Sequence, residues 1–529
     1  MNTSPQDSPK AVYQKFRALS FQMLWTDEVP RFNSAPPEQR IANLGLIRAL
    51  GVVAAESGSA EEKAAVRAWL TSLLQDPEER IRRYAMNALP KVGSGGEEEK
   101  ALLDLMRKSG VEREGGFIAK ALDKIGGEAT LNALEHGGPA LPPRTVQKAK
   151  ASVARQQGIS QARMDQPIAE NDARPLVLRS RRGLETWVVQ ELQNAARTRR
   201  SFKVQRTQPG HVTVTALKPF TLGDVYSLRC FATASLVLGM VDDARPAGLP
   251  SRIANVIVAA GELLELLTDG PFRYRLEFVG KGALRAVIRE IATQVFEQSP
   301  ALLNDPQQAP WAVEIHPAGR GFSVELRPRF SPDPRFAYRR DDVPAASHPP
   351  LAAAMARLAG HRTGDIVWDP FCGSGSELIE RAILGGVAQL HGSDLSATAL
   401  AAARKNLEAA ALPGIQAVFH HGDFREWENQ VDLPHGTTTL IITNPPMGRR
   451  VPVPDLRGLI LSLIEAAEHV LQPGGRLVLA NPFRLQLPPS TLQRVYQETI
   501  DLGGFDVQLE KYEKKTVAPT AGKPRSGRR

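Results

Sequence analysis

The 529-residue chain has only two cysteines, Cys230 and Cys372. That excludes a disulfide framework or a cysteine-rich zinc site, and a reducing compartment suits such a chain best. No apolar run approaches the ~18 residues needed to cross a membrane. The opening Met1-Asn2-Thr3-Ser4-Pro5-Gln6-Asp7 also lacks the basic-then-apolar pattern of a secretory signal. A cytoplasmic location is expected. The length implies several domains; three are expected, with a linker and a tail.

Chemistry is concentrated late in the chain. Asn444-Pro445-Pro446-Met447 follows the apolar run Leu440-Ile441-Ile442. An asparagine oxygen and a following proline carbonyl offer two acceptors side by side, stiffened by consecutive prolines, which suits a planar amine. Upstream, Asp369-Pro370-Phe371-Cys372-Gly373-Ser374-Gly375 follows Ile366-Val367-Trp368 and precedes a helix-like stretch. Strand, glycine turn and helix in that order form a nucleotide-cofactor signature. Asp369, Asp394, Asp423 and Asn444 are 25, 29 and 21 residues apart, close to one strand-helix unit. This places them at strand C-termini, where open parallel sheets bind ligands. A further strand is expected at Leu477-Val478-Leu479-Ala480.

These motifs resemble the Rossmann-like, S-adenosylmethionine-dependent methyltransferases that act on exocyclic amines. The resemblance implies that Asp369, Phe371, Gly373, Ser374 and Gly375 surround the cofactor and that Asp394 takes its ribose hydroxyls. It also implies that Asp423 accepts its adenine amine, with Phe424 against the ring. Helix N-capping is an alternative for Asp394 and Asp423, and both roles can coexist. Asn444 and the Pro445 carbonyl would each accept one N–H of the target, with no metal required. The family usually has an aromatic residue where this chain has Met447, a softer platform for a base.

The segment 175–345 alternates strand and helix: Leu176-Val177-Leu178-Arg179, helical Trp187 to Leu192, His211-Val212-Thr213-Val214, helical Ala283 to Phe296, and a strand from Phe322 to Arg329. With Arg182-Gly183-Leu184-Glu185 and the junction from Phe336 to Met355, it is similar to the ferredoxin-like plus THUMP module found before RNA guanine amine methyltransferases. That resemblance implies a tRNA or rRNA substrate. Arg179, Arg181, Arg182, Arg197, Arg199 and Arg200 are the expected RNA contacts.

The net charge of +9 splits by direct count into +2 for residues 1–170, +6 for 171–350, −5 for 351–510 and +6 for the last 19. The acidic catalytic segment needs basic neighbours to hold a polyanion. The basic tail 511–529 is expected to be disordered, either touching phosphates or aiding solubility.

The first 150 residues follow another pattern. Residues 77–93 are echoed by 117–126 at an offset of 33, with a fainter echo at 46–51. Apolar residues at helical spacing with a closing glycine describe stacked helix pairs resembling HEAT-like repeats, which bind a protein partner or cap the fold.

The expected organisation is therefore multidomain: an α-helical repeat domain (1–150), a linker (151–174), an α+β ferredoxin-like/THUMP module (175–345), an α/β Rossmann-like methyltransferase domain (346–510) and the tail. The expected activity is methylation of a base amine in RNA, guanine by the resemblance. The alternatives are a non-catalytic RNA-binding or assembly protein retaining the fold, or methylation of DNA adenine or a protein glutamine amide.

Overall fold

The computed structural model describes residues 8–516 except 94, 109–111, 157, 170–173, 196, 199, 243–247, 281–283, 345, 430–432, 434, 450–451 and 485–489. The chain divides into two compact units: residues 1–160 with 270–273 and 289–305, and residues 161–269 with 274–288 and 306–529.

The first unit is helical. Pro9–Arg17, Leu44–Ser57, Glu79–Val92, Glu112–Ile125 and Pro143–Gln156 pack successively in one row; Ala60–Ser72, Gly96–Lys108 and Glu128–Glu135 form a second. Glu79–Val92 and Glu112–Ile125 start 33 residues apart, matching the sequence echo. Leu50, Leu70, Ile81, Leu89, Leu102, Ile118 and Leu122 lie in its core. Ser59 and Glu62 form a capping box at the Ala60–Ser72 helix, satisfying otherwise orphaned N–H groups. The helix Pro143–Gln156 runs through the expected linker boundary at 150, because Thr145 and Ala149 are buried and continue its apolar face.

The second unit holds two large sheets and a small antiparallel pair, Gln161–Ala162 with Thr268–Asp269. The first orders Phe202–Gln208, His211–Ala216, Leu176–Arg179, Thr233–Asp242, Gly321–Pro328, Trp311–Ala318 and Arg273–Phe278. Among these seven strands the pairs are antiparallel, except that Trp311–Ala318 and Arg273–Phe278 run parallel.

The second sheet orders Gln416–His421, Val387–Asp394, Asp365–Asp369, Thr438–Thr443, Leu471–Asn481, Asp506–Lys514 and Leu492–Asp501. The first five strands are parallel and the last two antiparallel. The strand order reverses beside Asp365–Asp369, which creates a crevice at the strand C-termini. The strand Asp506–Lys514 corrects the expected tail boundary. Residues 511–514 pair within the sheet, and Tyr512 is buried with its hydroxyl donating to Glu510. Lys514 reaches the carbonyls of Glu468 and Leu471. The remaining tail cations, beyond 516, lie outside the described residues. No helix among those described is long and apolar enough to cross a membrane.

Candidate active site

The buried Val367 and Trp368 carry their strand to Asp369, which is fully buried. The chain then turns through Gly373 and Gly375, with φ of +51° and +83°. A side chain is disfavoured at such angles. A Cβ on Gly375 would also sit 3.3 Å from the Ala403 methyl, so glycine lets the helix Ala397–Ala409 pack closely against the turn.

Asp394 ends the adjacent strand and ties it to this turn. One oxygen accepts from the Gly373 amide at 2.9 Å, the other from the Ser396 amide at 2.8 Å. A carboxylate has about four acceptor positions, so both oxygens of this partly exposed residue retain capacity. The ring centroids of Phe371 and Phe424 are 4.7 Å apart. Asp423 forms an ion pair with Arg425 and accepts its backbone amide at 2.9 Å. That hydrogen-bonded guanidinium holds the Asp423 carboxyl below the usual carboxylate range.

Asp369 joins its strand to the one ending at Thr443. Its Oδ1 accepts from the Thr443 hydroxyl at 2.6 Å and the Phe371 amide at 3.0 Å, while its buried Oδ2 has no partner. Burial, then the nearby Glu377 carboxyl, pushes the Asp369 carboxyl well above its usual range.

Asn444 follows Thr443 directly, and two residues missed in the sequence orient it. Its Nδ2 donates to the Ser347 Oγ at 2.7 Å, and the Ser347 hydroxyl donates to Glu377. A serine has one proton to give. With that proton committed to Glu377, Ser347 can only accept from Asn444, so the amide nitrogen faces Ser347 and the oxygen faces away. Asn444 Oδ1 is buried and has no partner. An unmade hydrogen bond of this kind costs about 1–3 kcal/mol, and an incoming N–H relieves it. Pro445 is buried, while Pro446 and Met447 are half-buried. The sequence signal for Ser347 was its place before His348-Pro349-Pro350, and for Glu377 its place in the turn helix.

The six expected RNA-contacting arginines separate. Arg179 pairs with the buried Glu325 at 2.7 Å and Arg182 with Asp506 at 2.5 Å, while Arg181 donates to the Asp501 carbonyl at 3.4 Å. These three serve intramolecular contacts, and the last two fasten the module to the catalytic sheet. Gly183 lies so close that a Cβ would meet the Thr499 carbonyl oxygen at 2.3 Å. Arg197 and Arg200 are exposed, as are Lys203 and Arg206 on the neighbouring strand. Arg199 lies outside the described residues.

The junction is fastened by groups the sequence did not reveal. Arg229 grips the fully buried Glu380 through two bonds of 2.7 and 2.8 Å, and the Tyr338 hydroxyl donates to the same carboxylate at 2.8 Å. Asn406 accepts from the backbone amides of Arg340 and Asp341 and donates to the Ser374 carbonyl in the glycine turn.

Comparison with known proteins agrees with the fold that carries these residues. The family model described as UPF0020, RMKL-like, methyltransferase domain matches residues 337–499. The chain is 31% identical over 163 residues to the tRNA (guanine(10)-N2)-dimethyltransferase of Methanocaldococcus jannaschii, covering 30% of this chain and 44% of that protein. It is 35% identical over 179 residues to the tRNA (guanine(6)-N2)-methyltransferase of Thermus thermophilus, covering 33% and 48%. It is 33% identical over 129 residues to the U6 snRNA (guanine-N(2))-methyltransferase THUMPD2 of Mus musculus, covering 24% and 23%. The chain thus spans less than half the length of each of these relatives. The crystal structure of TrmN from Thermus thermophilus superimposes with a TM-score of 0.51 at 22% identity, covering 64% of this chain and 99% of that one. That likeness shows the fold. It is thus the segment 337–499 that is similar to the RMKL-like methyltransferase domains.

Proposed function

We propose that this protein transfers a methyl group from S-adenosylmethionine to the exocyclic N2 amine of a guanine in RNA. The buried, unpartnered Oδ1 of Asn444 carries this reading: an amide oxygen fixed at the end of a parallel strand without a donor is suited to accept an N–H. The names of the relatives favour guanine N2 as the amine and structured RNA, tRNA first, as its source.

The residues present fit the cofactor. The glycine turn admits close backbone approach, Asp394 keeps free acceptor positions for two hydroxyls, and Phe371 and Phe424 offer aromatic surface for adenine. The unpartnered Oδ2 of Asp369 is a further buried polar atom available to a ligand. The cofactor supplies an electrophilic methyl group on a sulfonium. Asn444 Oδ1 and the Pro445 carbonyl accept the two N–H groups of the target amine and so orient its nitrogen for attack. Ser347 and Glu377 keep the Asn444 amide from presenting its own N–H. Holding two reactants in near-attack geometry supplies about 7–11 kcal/mol in favourable cases. On the RNA side, Arg197, Arg200, Lys203 and Arg206 provide exposed charge for phosphates.

Met447 favours a second reading, in which the domain binds cofactor and RNA without turnover. The two are separated by transfer of labelled methyl from S-adenosylmethionine to total RNA from cells lacking this protein, using wild type and Asn444→Ala. Label in N2-methylguanosine with wild type alone supports catalysis; cofactor binding without label in any RNA fraction supports the second reading.

A further inference from the structure

The helical unit neutralises its inter-helix cations with care. Arg17 pairs with Glu56, Arg40 with Asp76, Arg67 with Glu98, and Arg82 with Glu114, while Arg144 and Lys148 share Asp123. Arg48, Lys91 and Lys124 break this habit. Each is exposed, and among the described residues none has a carboxylate at ion-pair distance. They occupy three helices that pack successively in one row, Leu44–Ser57, Glu79–Val92 and Glu112–Ile125. Lys91 and Lys124 stand 33 residues apart, at the same place in the closing turns of their helices.

The three form one ridge. Partial desolvation at the base of its side chain, then the charges of Arg48 and Lys124, hold the Lys91 ammonium below the ordinary lysine range, with no carboxylate among the groups acting on it. A lysine near a helix C-terminus offsets the helix dipole, but Arg48 lies in the second turn of its helix, where that benefit is absent. Aromatic rings lie beneath the flanking cations: Tyr13 is 4.4 Å from the Arg48 guanidinium carbon and Phe117 is 5.5 Å from the Lys120 ammonium. Packed helix axes are about 8–10 Å apart, so charges on three successive helices extend over roughly 16–20 Å. That is too long for one small anion and suits a chain of regularly repeated negative charges.

We propose that Arg48, Lys91 and Lys124, with Lys120 beside them, form a binding ridge for the phosphate backbone of RNA. It makes the helical unit a second electrostatic contact in addition to the exposed cations of the middle module. The assignment rests on the RNA reading above.

The test is binding of bulk tRNA by the full chain across a salt series, comparing wild type with the triple variant Arg48→Gln, Lys91→Gln, Lys124→Gln. The control replaces Lys100, Arg107 and Lys108, exposed on a helix of the other row, with glutamine. Each lost phosphate contact flattens the plot of log affinity against log salt by about 0.7–0.9. The ridge variant should therefore be shallower by about 2, with unchanged cofactor affinity and an unchanged rate at saturating RNA, while the control keeps the wild-type slope. A ridge variant with the wild-type slope, or a control that loses as much, overturns the ridge while leaving the RNA reading intact. Failure of wild type to bind tRNA at low salt, with cofactor binding preserved, overturns the RNA reading and the ridge with it. Retention of an acidic protein segment by a ridge that ignores tRNA also overturns the proposal.

Discussion

Asn444 Nδ2 lies 2.7 Å from the Ser347 Oγ, across 97 residues of sequence, and that contact leaves the buried amide oxygen as the end without a partner. Glu377 completes the arrangement by taking the serine proton. An asparagine free to rotate would spend part of its time presenting N–H groups to an amine, a repulsive pairing.

Ser347→Ala should therefore lower kcat by roughly threefold to tenfold, the equivalent of one hydrogen bond worth about 0.5–1.5 kcal/mol, with cofactor affinity unchanged. Ser347→Thr should restore most of the rate. Asn444→Ala should cost on the order of a hundredfold or more, as removal of a positioned polar group does elsewhere. Adding Ser347→Ala to it should cost nothing further. Steady-state kinetics on the four variants checks this; additive losses would mean that Ser347 acts elsewhere.

Asp394→Ala should weaken cofactor binding by about 1.5–3 kcal/mol, the usual worth of hydrogen bonds to a charged acceptor. Isothermal calorimetry reads this directly. Because Asp394 also accepts from the Gly373 and Ser396 amides, Asp394→Asn should recover part of the loss. An unchanged affinity for Asp394→Ala would leave the residue as a structural tie only.

Arg229→Ala should destabilise the second unit by about 3–5 kcal/mol, since it strands the carboxylate of Glu380 where no water can reach it. The Tyr338 hydroxyl remains as one donor and moderates the cost. Thermal melting of the full chain, followed by the near-ultraviolet signal of the buried Trp368, provides the measure. A shift no larger than that of an exposed arginine would contradict the burial.

Asp365 sits between Arg381 and Arg476 and accepts from the Thr439 hydroxyl at 2.7 Å. Burial opposes its ionisation, but Thr439, Arg476 and Arg381 together prevail and leave the carboxyl below its usual range. A depressed carboxyl adds stability at pH above its unfolded value near ~3.9, and that stability is lost as pH falls through the lower folded value. Asp365→Asn should accordingly lower stability at neutral pH and show a flatter decline in acid. Urea unfolding from about pH 6 down to about pH 3 checks the sign. A mutant that tracks the wild-type pH dependence would show that this aspartate contributes no acid-sensitive stability.

Much of the catalytic fold was legible because its signals are local. Apolar runs ending at Asp369, Asp394 and Thr443 mark strands buried on both faces, and glycines with positive φ mark the turn. The antiparallel hairpin Leu492–Asp501 and Asp506–Lys514 was not read: its edge strand is largely polar, and Lys511, Lys514 and Lys515 looked like the start of a basic tail. The arginines of 179–182 look the same in sequence as those of 197–200. The presence of Glu325, Asp501 and Asp506 beside the first group is a fact of packing.

The sequence by itself determined the strand-helix alternation, the glycine turn and the Asn-Pro-Pro-Met string, because these depend on backbone preferences and short-range periodicity. Tertiary structure alone decided which end of the Asn444 amide is left without a partner, which arginines are spent on Glu325, Asp501 and Asp506, and that Arg48, Lys91 and Lys124 stand on helices packed in one row. Those outcomes depend on partners tens to hundreds of residues away, and a hydrogen bond or a charge is defined by what stands next to it in space.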